Sequence, residues 1–325
     1  MKIDNEYYSI KRVSHSSLKY FQASPLTFKM FIDKELEDET KKYLEDGKII
    51  HMYFLERDKF DETYEFFDYR IPSSEQAKKY IEELSKFKKL QKDILIQEYS
   101  KQYSVKGKSE DKILSDATDL RTKYSDYLRY LKTKENDKEV LGSAWKEKLE
   151  TLETKAKEHS IIKDLLFDNV DTQLDGSIET HNEFAVYFKD NMWGNECKAL
   201  IDRVVIDHTN KVIKLVDLKT TYTFMDLKDK IREFNYNRQM TFYWLAIFSH
   251  FKDKIKLEEY KQETYIIFIK TKDPLELTIK RIGEPMLEET IPEIKTLLKE
   301  ISWHFENDKW EFDKLYYDGS CETIV

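Results

Sequence analysis

The chain has 325 residues, of which 40% are hydrophobic and 36% are charged, and its formal net charge at pH 7 is −8. This composition is typical of a soluble globular protein, and the negative charge argues against a protein that coats nucleic acid non-specifically. The sequence has only two cysteines, Cys197 and Cys321, which argues against a disulfide framework and a four-cysteine metal cluster. It has no apolar run of about 18 residues, which argues against a membrane span, and we expect a cytoplasmic location.

The N-terminal region predicts two helical segments. Residues 11–34 predict a short extended stretch followed by a helix, with N-cap hydroxyls in Ser14-His-Ser-Ser17 and an interruption at Ser24-Pro25. Residues 40–56 predict a second amphipathic helix, which contains His51.

Residues 74–160 are rich in Lys and Glu, and apolar residues recur among them at helical spacing. This pattern predicts a helical insertion with a loop near Gly107, whose charges mostly form a solvated face. A clamp over DNA, an arm that docks a partner and structural filler all stay open as roles for it. We therefore interpret residues 1–325 as a single domain that carries this insertion.

From Glu179 onward the pattern changes to alternating and β-branched residues, which predict strands. A long amphipathic helix from Phe224 to about Phe251 interrupts them, and a final helix covers about Pro285 to Asn307. The predicted strands are 183–188, 197–205, 212–218, 263–270 and 275–281. This order predicts an α/β fold, a central mixed sheet flanked by helices.

Two carboxylates and a lysine stand at suggestive positions in the second and third of these strands. Asp202 and Asp217 are 15 positions apart, and a polar turn at 208–211 joins their strands into a hairpin that can bring them together. Lys219 shares the side of Asp217, because side chains in a strand alternate between its two faces. Two hard oxygen ligands and an ammonium are what metal-assisted phosphodiester cleavage requires, although exposed hairpin charges would also match this spacing.

Several further segments accompany these residues in order along the chain. They are Ser14-His-Ser-Ser-Leu18 with Ser24-Pro25, Gly47-Lys-Ile-Ile-His51, the acidic strand from Glu179 to Tyr187, Cys197-Lys198, Asp202 with Asp217-Leu-Lys219, and Gln239-Met-Thr-Phe-Tyr243. Together they resemble the RecE/exodeoxyribonuclease VIII type of the PD-(D/E)XK nuclease superfamily, which also includes RecB-like and lambda-exonuclease-like enzymes. The resemblance covers most of residues 11–60 and 145–250, and it departs from the family pattern at Ile201, where a proline usually precedes the first Asp.

The resemblance implies a restriction-endonuclease-like core and a site that binds Mg²⁺ or Mn²⁺. Asp202 and Asp217 would be metal ligands, with the main-chain oxygen of Leu218 completing the sphere. His51 would supply a nitrogen ligand, since imidazole suits Mn²⁺. Lys219 would be the catalytic lysine, which positions water or steadies the charge that develops on the phosphate.

The remaining candidates are less sharply defined. Glu183 is the preferred further catalytic carboxylate, but Glu179 points to the same face of the predicted strand and competes with it. Gln239 and Tyr243 lie on one helix face and would contact the DNA backbone or orient the lysine, or would simply pack the helix on the sheet. Lys198 is a candidate phosphate contact.

The resemblance further implies an exonuclease that acts on double-stranded DNA ends in the 5′-to-3′ direction. A phage-type recombination setting, a single-strand annealing protein as partner and a homo-oligomeric ring belong to the same expectation. Two alternatives stay open: a RecB-like single-strand nuclease or defence endonuclease of the same fold, and a non-catalytic nuclease-fold protein that binds DNA or protein.

Overall fold

The computed structural model describes residues 2–36, 42–168 and 176–320, so Cys321 and the first two positions of the predicted 40–56 helix lie outside the described residues. Within those ranges, no helix combines the length and the apolar character that a membrane crossing requires. The α-helices are α1 Lys2–Ser9, α2 His15–Ala23, α3 Pro25–Asp33, α4 Lys42–Leu55, α5 Arg57–Thr63, α6 Glu75–Ser85, α7 Lys92–Gln102, α8 Glu110–Lys123, α9 Ser125–Glu135, α10 Ser143–Glu158, α11 Ser160–Lys163, α12 Leu227–Glu233, α13 Tyr236–Phe251, α14 Glu284–Glu288, α15 Ile291–Asn307 and α16 Lys314–Tyr317.

The strands form one large sheet and one small one. The large sheet has the order β3-β4-β5-β6-β7, and all its pairs are antiparallel except β5 with β6. The small sheet is the parallel pair β1-β2. The strands are β1 Tyr64–Phe66, β2 Glu139–Leu141, β3 Ile178–Lys189, β4 Glu196–Asp207, β5 Val212–Thr221, β6 Lys261–Lys270 and β7 Leu277–Ile282. The predicted mixed sheet flanked by helices is confirmed.

The chain divides into two compact units. The first comprises Met1–Leu55 with Thr154–Val325 and contains the five-stranded sheet. The second comprises Glu56–Glu153 and has its own buried cluster, which includes Tyr80 and Leu84. The predicted insertion at 74–160 overlaps the second unit, but it begins and ends later in the sequence.

The first helices begin where the sequence places their caps. Ser14 and Ser17 form a capping box at the start of α2, each side chain bonding the other residue's backbone N–H. Ser24 caps α3, and Pro25 occupies its first position, where a missing N–H costs nothing. The stretch before α2 is extended and lies beside β4, because the Val13 N–H donates to the Glu196 carbonyl at 2.9 Å.

Two predicted helices are each split in the structure, so the single helices at 224–251 and 285–307 were wrong. The first divides into α12 and α13 at Asn235, whose φ of 56° is left-handed, a conformation that Asn tolerates better than most residues. The second divides into α14 and α15, with Pro292 in the first turn of α15. In a continuous helix the Pro292 ring would clash with the carbonyl four residues earlier.

The hairpin of β3 and β4 changes its apolar face halfway along. In β4, the buried residues that join the core with α13 are odd-numbered before Asp202 and even-numbered after it: Cys197, Ala199 and Ile201, then Val204 and Ile206. On β3, Glu183 stands opposite Asp202, and its backbone is left-handed with a φ of 44°. Pairing is interrupted at this position, while Asn182–Arg203 and Phe184–Ile201 pair on either side.

The left-handed backbone at Glu183 predicts an unusual response to substitution. A residue with a Cβ pays about 1–2 kcal/mol in this conformation, whereas glycine adopts it freely. Without divalent metal, Glu183→Gly should therefore have a higher free energy of unfolding than Glu183→Ala, by about 1 kcal/mol. Urea denaturation of both variants measures the difference, and both lose the same carboxylate contacts. Equal stability, or a more stable alanine variant, would contradict a strained backbone at this position.

Candidate metal and catalytic site

The site lies where β4 and β5 separate. Their pairing ends at Arg203 and Val216, one step before Asp202 and Asp217, while β5 stays paired with β6 to its end. In the gap, the Leu218 N–H donates to Oδ2 of Asp202 at 2.7 Å, so a side chain takes the place of the backbone ladder. Asp202 and Asp217 consequently face each other across the fork, both buried.

Lys219 and helix α13 surround the Asp217 carboxylate. Lys219 Nζ is 2.7 Å from Oδ2 of Asp217 and 5.0 Å from the ring centre of Tyr236. Gln239 Nε2 lies 3.3 Å from Oδ1 of Asp217 and donates to the Tyr243 hydroxyl at 2.7 Å. Gln239 and Tyr243 therefore orient Asp217 from α13, and Tyr243 is buried beneath the site.

Helix α4 brings His51 to the same fork. His51 Nδ1 is 3.5 Å from Oδ2 of Asp202, and its ring also hydrogen-bonds the Leu218 backbone. Gly47, one turn earlier, permits this approach, because a Cβ there would lie only 3.3 Å from Oγ1 of Thr220. The Gly47–His51 spacing seen in the sequence thus has a packing reason.

A potential ligand cluster forms around Asp202. One ligand atom each from His51, Glu183 and Asp202 lie within 4.8 Å of one another. Glu179, the competing carboxylate, instead lies 2.6 Å from Nε2 of His181 and 3.4 Å from Nε2 of His208. The structure therefore brings Glu183, not Glu179, to the fork.

Burial shifts the pKa values of Asp202, Asp217 and His51. It raises the pKa of Asp217 to about 6 against the opposing Lys219 ammonium, and it raises the pKa of Asp202 as well. Burial lowers the pKa of His51 to about 4, and Lys219 acts in the same direction. Burial would also lower the pKa of Lys219, but Asp217 and Asp202 outweigh it and the net shift is upward. At neutral pH the site holds a neutral imidazole and a charged ammonium.

The donor set fits a divalent cation. Two carboxylates from neighbouring strands, Glu183 and Asp202, meet a neutral imidazole, and the oxygens suit Mg²⁺ while the nitrogen suits Mn²⁺. Burial destabilises the ionised forms of Asp202 and Asp217, as their raised pKa values show, and a bound cation would stabilise those ionised forms. His51, Glu183 and Asp202 would hold the ion, and Asp217 with the Leu218 backbone borders the same space.

Lys198 lies away from the fork, against α1. Its ammonium donates to the carbonyl oxygens of Tyr7 at 2.8 Å and Ile10 at 2.7 Å and lies 4.5 Å from the centre of the Tyr7 ring. The side chain is buried, and burial lowers its pKa to about 8. This ammonium binds backbone oxygens within the protein, an arrangement that argues against the predicted phosphate contact.

Sequence reasoning assigned no role to Tyr236, whose ring lies beside the Lys219 ammonium. The signal was present, because Tyr236 precedes Gln239 by three positions and Tyr243 by seven, which places all three on one helix face. The predicted helix ran through this point without a break, so Tyr236 did not stand out as a residue of the first turn.

Comparison with known proteins gives one family match. The sequence profile of the PD-(D/E)XK nuclease superfamily matches residues 12–323. A solved structure from Eubacterium rectale, described as a "putative exonuclease", is similar at 12% identity over 97% of this chain and 91% of that chain, with a TM-score of 0.47. A protein named SSO0001 is similar at 13% identity over 70% of this chain and 82% of that chain, with a TM-score of 0.25. Comparison with curated proteins finds no match.

The raised pKa of Asp217 predicts that the metal-free protein loses stability as pH rises. The folded-state pKa of about 6 lies above the ordinary value of 3.8, so folding favours the protonated form. This stabilisation is complete below the unfolded pKa and is lost as pH rises through the folded one. Between about pH 4 and pH 7, the free energy of unfolding should fall by up to about 3 kcal/mol relative to Asp217→Asn.

Urea denaturation of both proteins without divalent ions, across that pH range, checks this expectation. Added Mg²⁺ should stabilise the wild-type protein more at the upper end of the range than at the lower end, because a cation binds the ionised carboxylate. A difference between the two proteins that does not change with pH would show that Asp217 titrates normally.

Proposed function

The chain belongs to the PD-(D/E)XK nuclease superfamily, and on that basis we propose that it is a metal-dependent deoxyribonuclease that hydrolyses phosphodiester bonds from the ends of double-stranded DNA. The observation that carries the proposal is the meeting of Asp202, Asp217 and Lys219 where β4 and β5 separate, with His51 above them on α4. Buried carboxylates that can hold a divalent cation, beside an ammonium that can face the phosphate, suit metal-assisted phosphodiester hydrolysis.

Each group at the fork has a distinct role in this proposal. When bound, the divalent cation supplies positive charge to the scissile phosphate and makes water easier to deprotonate. Lys219 stays protonated in the metal-free site, so it acts as a cation toward the phosphate oxygens and not as a general base. Gln239 holds Oδ1 of Asp217, which leaves the carboxylate in one orientation when the substrate arrives.

The exonuclease assignment has its support in the motifs that resemble RecE-type enzymes. Two of them, Gly47 to His51 on α4 and Gln239 to Tyr243 on α13, reach the same fork from different helices. We extend the proposal to 5′-to-3′ polarity, Mg²⁺ or Mn²⁺ as cofactor and a role in phage-type recombination. An annealing protein as partner and a homo-oligomeric ring complete it. These finer features rest on the resemblance.

The decisive experiment is digestion of linear duplex DNA that carries a label at either the 5′ or the 3′ end, beside a closed circle of the same sequence. With Mg²⁺, the wild-type protein should release the 5′ label from linear DNA first and leave the circle intact. EDTA should stop the reaction, and so should Asp217→Asn, since an amide provides no charge for a cation. Asp207→Asn, at the hairpin end of β4, is the matched control that should cut normally.

The other outcomes each point to a different protein. Efficient cutting of the circle would make it an endonuclease, and a preference for single strands would make it a RecB-like nuclease. Metal-independent cutting would overturn the site itself. Binding of DNA without cutting by the wild-type protein, with affinity that falls as salt rises, would indicate a non-catalytic role.

Lys219 can be tested against a closely matched lysine on the same strand. Lys214 pairs with Asp164 at 2.7 Å and its side chain is 20% exposed, while Lys219 pairs with Asp217 at 2.7 Å and is 18% exposed. Lys219→Met should lower kcat by about 10²–10³-fold, the loss expected when a preorganised charge on the reacting group disappears. Lys214→Met should leave kcat unchanged. Similar losses of kcat in the two variants, measured at saturating DNA, would remove Lys219 from the catalytic machinery.

A further inference from the structure

Helix α4 contacts the sheet through three positions that follow one another at four-residue intervals. Gly47 lies against Thr220 of β5, and His51 reaches Asp202 of β4. At the last residue of the helix, the carbonyl of Leu55 accepts a hydrogen bond from Nδ2 of Asn182 on β3, at 2.8 Å. His51 therefore sits midway between two points at which α4 is fixed to the sheet.

Asn182 is itself held by a buried arginine. Nη1 of Arg203 donates to Oδ1 of Asn182 at 2.6 Å, and Arg203 is only 1% exposed. Among the residues that the structure describes, Nε and Nη2 of this guanidinium have no hydrogen-bond partner. Because arginine can only donate, it fixes the amide oxygen of Asn182 toward itself and turns the NH₂ group toward Leu55.

Both residues of this link are chain neighbours of the ligand cluster. Asn182 precedes Glu183 and Arg203 follows Asp202, and the two form the last regular β3–β4 pair before the interruption. Glu183 has a left-handed backbone, which persists only where the surrounding structure fixes it. The two hydrogen bonds of Asn182 fix the residue directly before this strained position.

We propose that Asn182 and Arg203 are positioning residues for the metal site. The link from Arg203 through Asn182 to the Leu55 carbonyl sets where α4 ends relative to β3 and β4. It thereby sets the separation of His51 from Asp202 and Glu183. This inference rests on the part of the proposed function that places a metal ion at the fork, and it does not require that the protein cleaves DNA.

Direct measurement of Mn²⁺ binding by electron paramagnetic resonance tests the link without using activity. Asn182→Ala removes both hydrogen bonds and should weaken Mn²⁺ binding by about 10–100-fold, the usual effect of losing a group that orients a ligand. Asn182 is exposed, so the core stays packed. The matched control is Asn307→Ala on α15, where the amide likewise donates to a helix carbonyl, that of Trp303, at 2.7 Å.

A second variant separates positioning from charge. Asn182→Asp keeps an acceptor for Arg203 but loses the donor to the Leu55 carbonyl. The added negative charge would by itself increase the affinity of the protein for a nearby cation. Weaker Mn²⁺ binding in this variant, as in Asn182→Ala, would therefore support loss of the bond to α4. Thermal unfolding without metal should show a larger decrease in midpoint for Asn182→Ala than for Asn307→Ala, because Asn182→Ala also removes a hydrogen bond from the buried Arg203 guanidinium. Asn182→Asp keeps that bond, so its midpoint should lie close to that of Asn307→Ala.

Unchanged Mn²⁺ affinity in Asn182→Ala would overturn the inference and leave the proposed function standing. An equal loss of Mn²⁺ affinity in Asn307→Ala would also overturn the inference, since a general loss of stability would then explain the weaker binding in both variants. A wild-type protein that binds Mn²⁺ but cuts no DNA would refute the proposed function, while a weaker affinity in Asn182→Ala would still support the link. A wild-type protein that binds no Mn²⁺ would overturn both.

Discussion

The separation of β4 from β5 is the constraint on which the rest of the site depends. A backbone N–H inside a sheet must be paired, and at Leu218 the partner is the Asp202 carboxylate instead of a neighbouring strand. This bond closes the end of the ladder without an unsatisfied donor. It leaves a gap wide enough for His51 to enter from α4 and for Asp217 to face Asp202. A fully paired hairpin would have no room for ligands from two strands.

The gap between β4 and β5 lowers the stability of the folded protein. Two buried carboxylates with raised pKa values, a left-handed glutamate and an interrupted strand pair all lie within one stretch of the sheet. The lysine ammonium offsets part of the negative charge, and the large core of α13 against β4, β5 and β6 supplies the stability that tolerates the remainder. Strain and charge concentrated in this way are typical of a site kept for binding.

The sequence was sufficient to predict the sheet and the meeting of Asp202, Asp217 and Lys219, but it was insufficient to predict which residues surround them. Strand patterns and the spacing of Asp202, Asp217 and Lys219 depend on alternation, which is local. The choice between Glu179 and Glu183 depends on a backbone torsion that no periodicity reveals, and the burial of Lys198 depends on α1, far away in sequence. The break between α14 and α15 was visible in the sequence, since Pro292 cannot stand in a helix interior, whereas the left-handed Asn235 between α12 and α13 has no comparable signal.

The reversal of the apolar face in the β3–β4 hairpin has a consequence for how this sheet finds its alignment. In a uniform hairpin, a slip of two residues keeps every side chain on its own face and is opposed only weakly. Here the strands reverse at Glu183 and Asp202, so any slip, even by two, would set the two reversal points out of line and bury polar groups. Glu183 and Asp202, which belong to the ligand cluster, therefore also fix the register of the β3–β4 hairpin. A shift in register is disfavoured at the same position where it would separate the ligands.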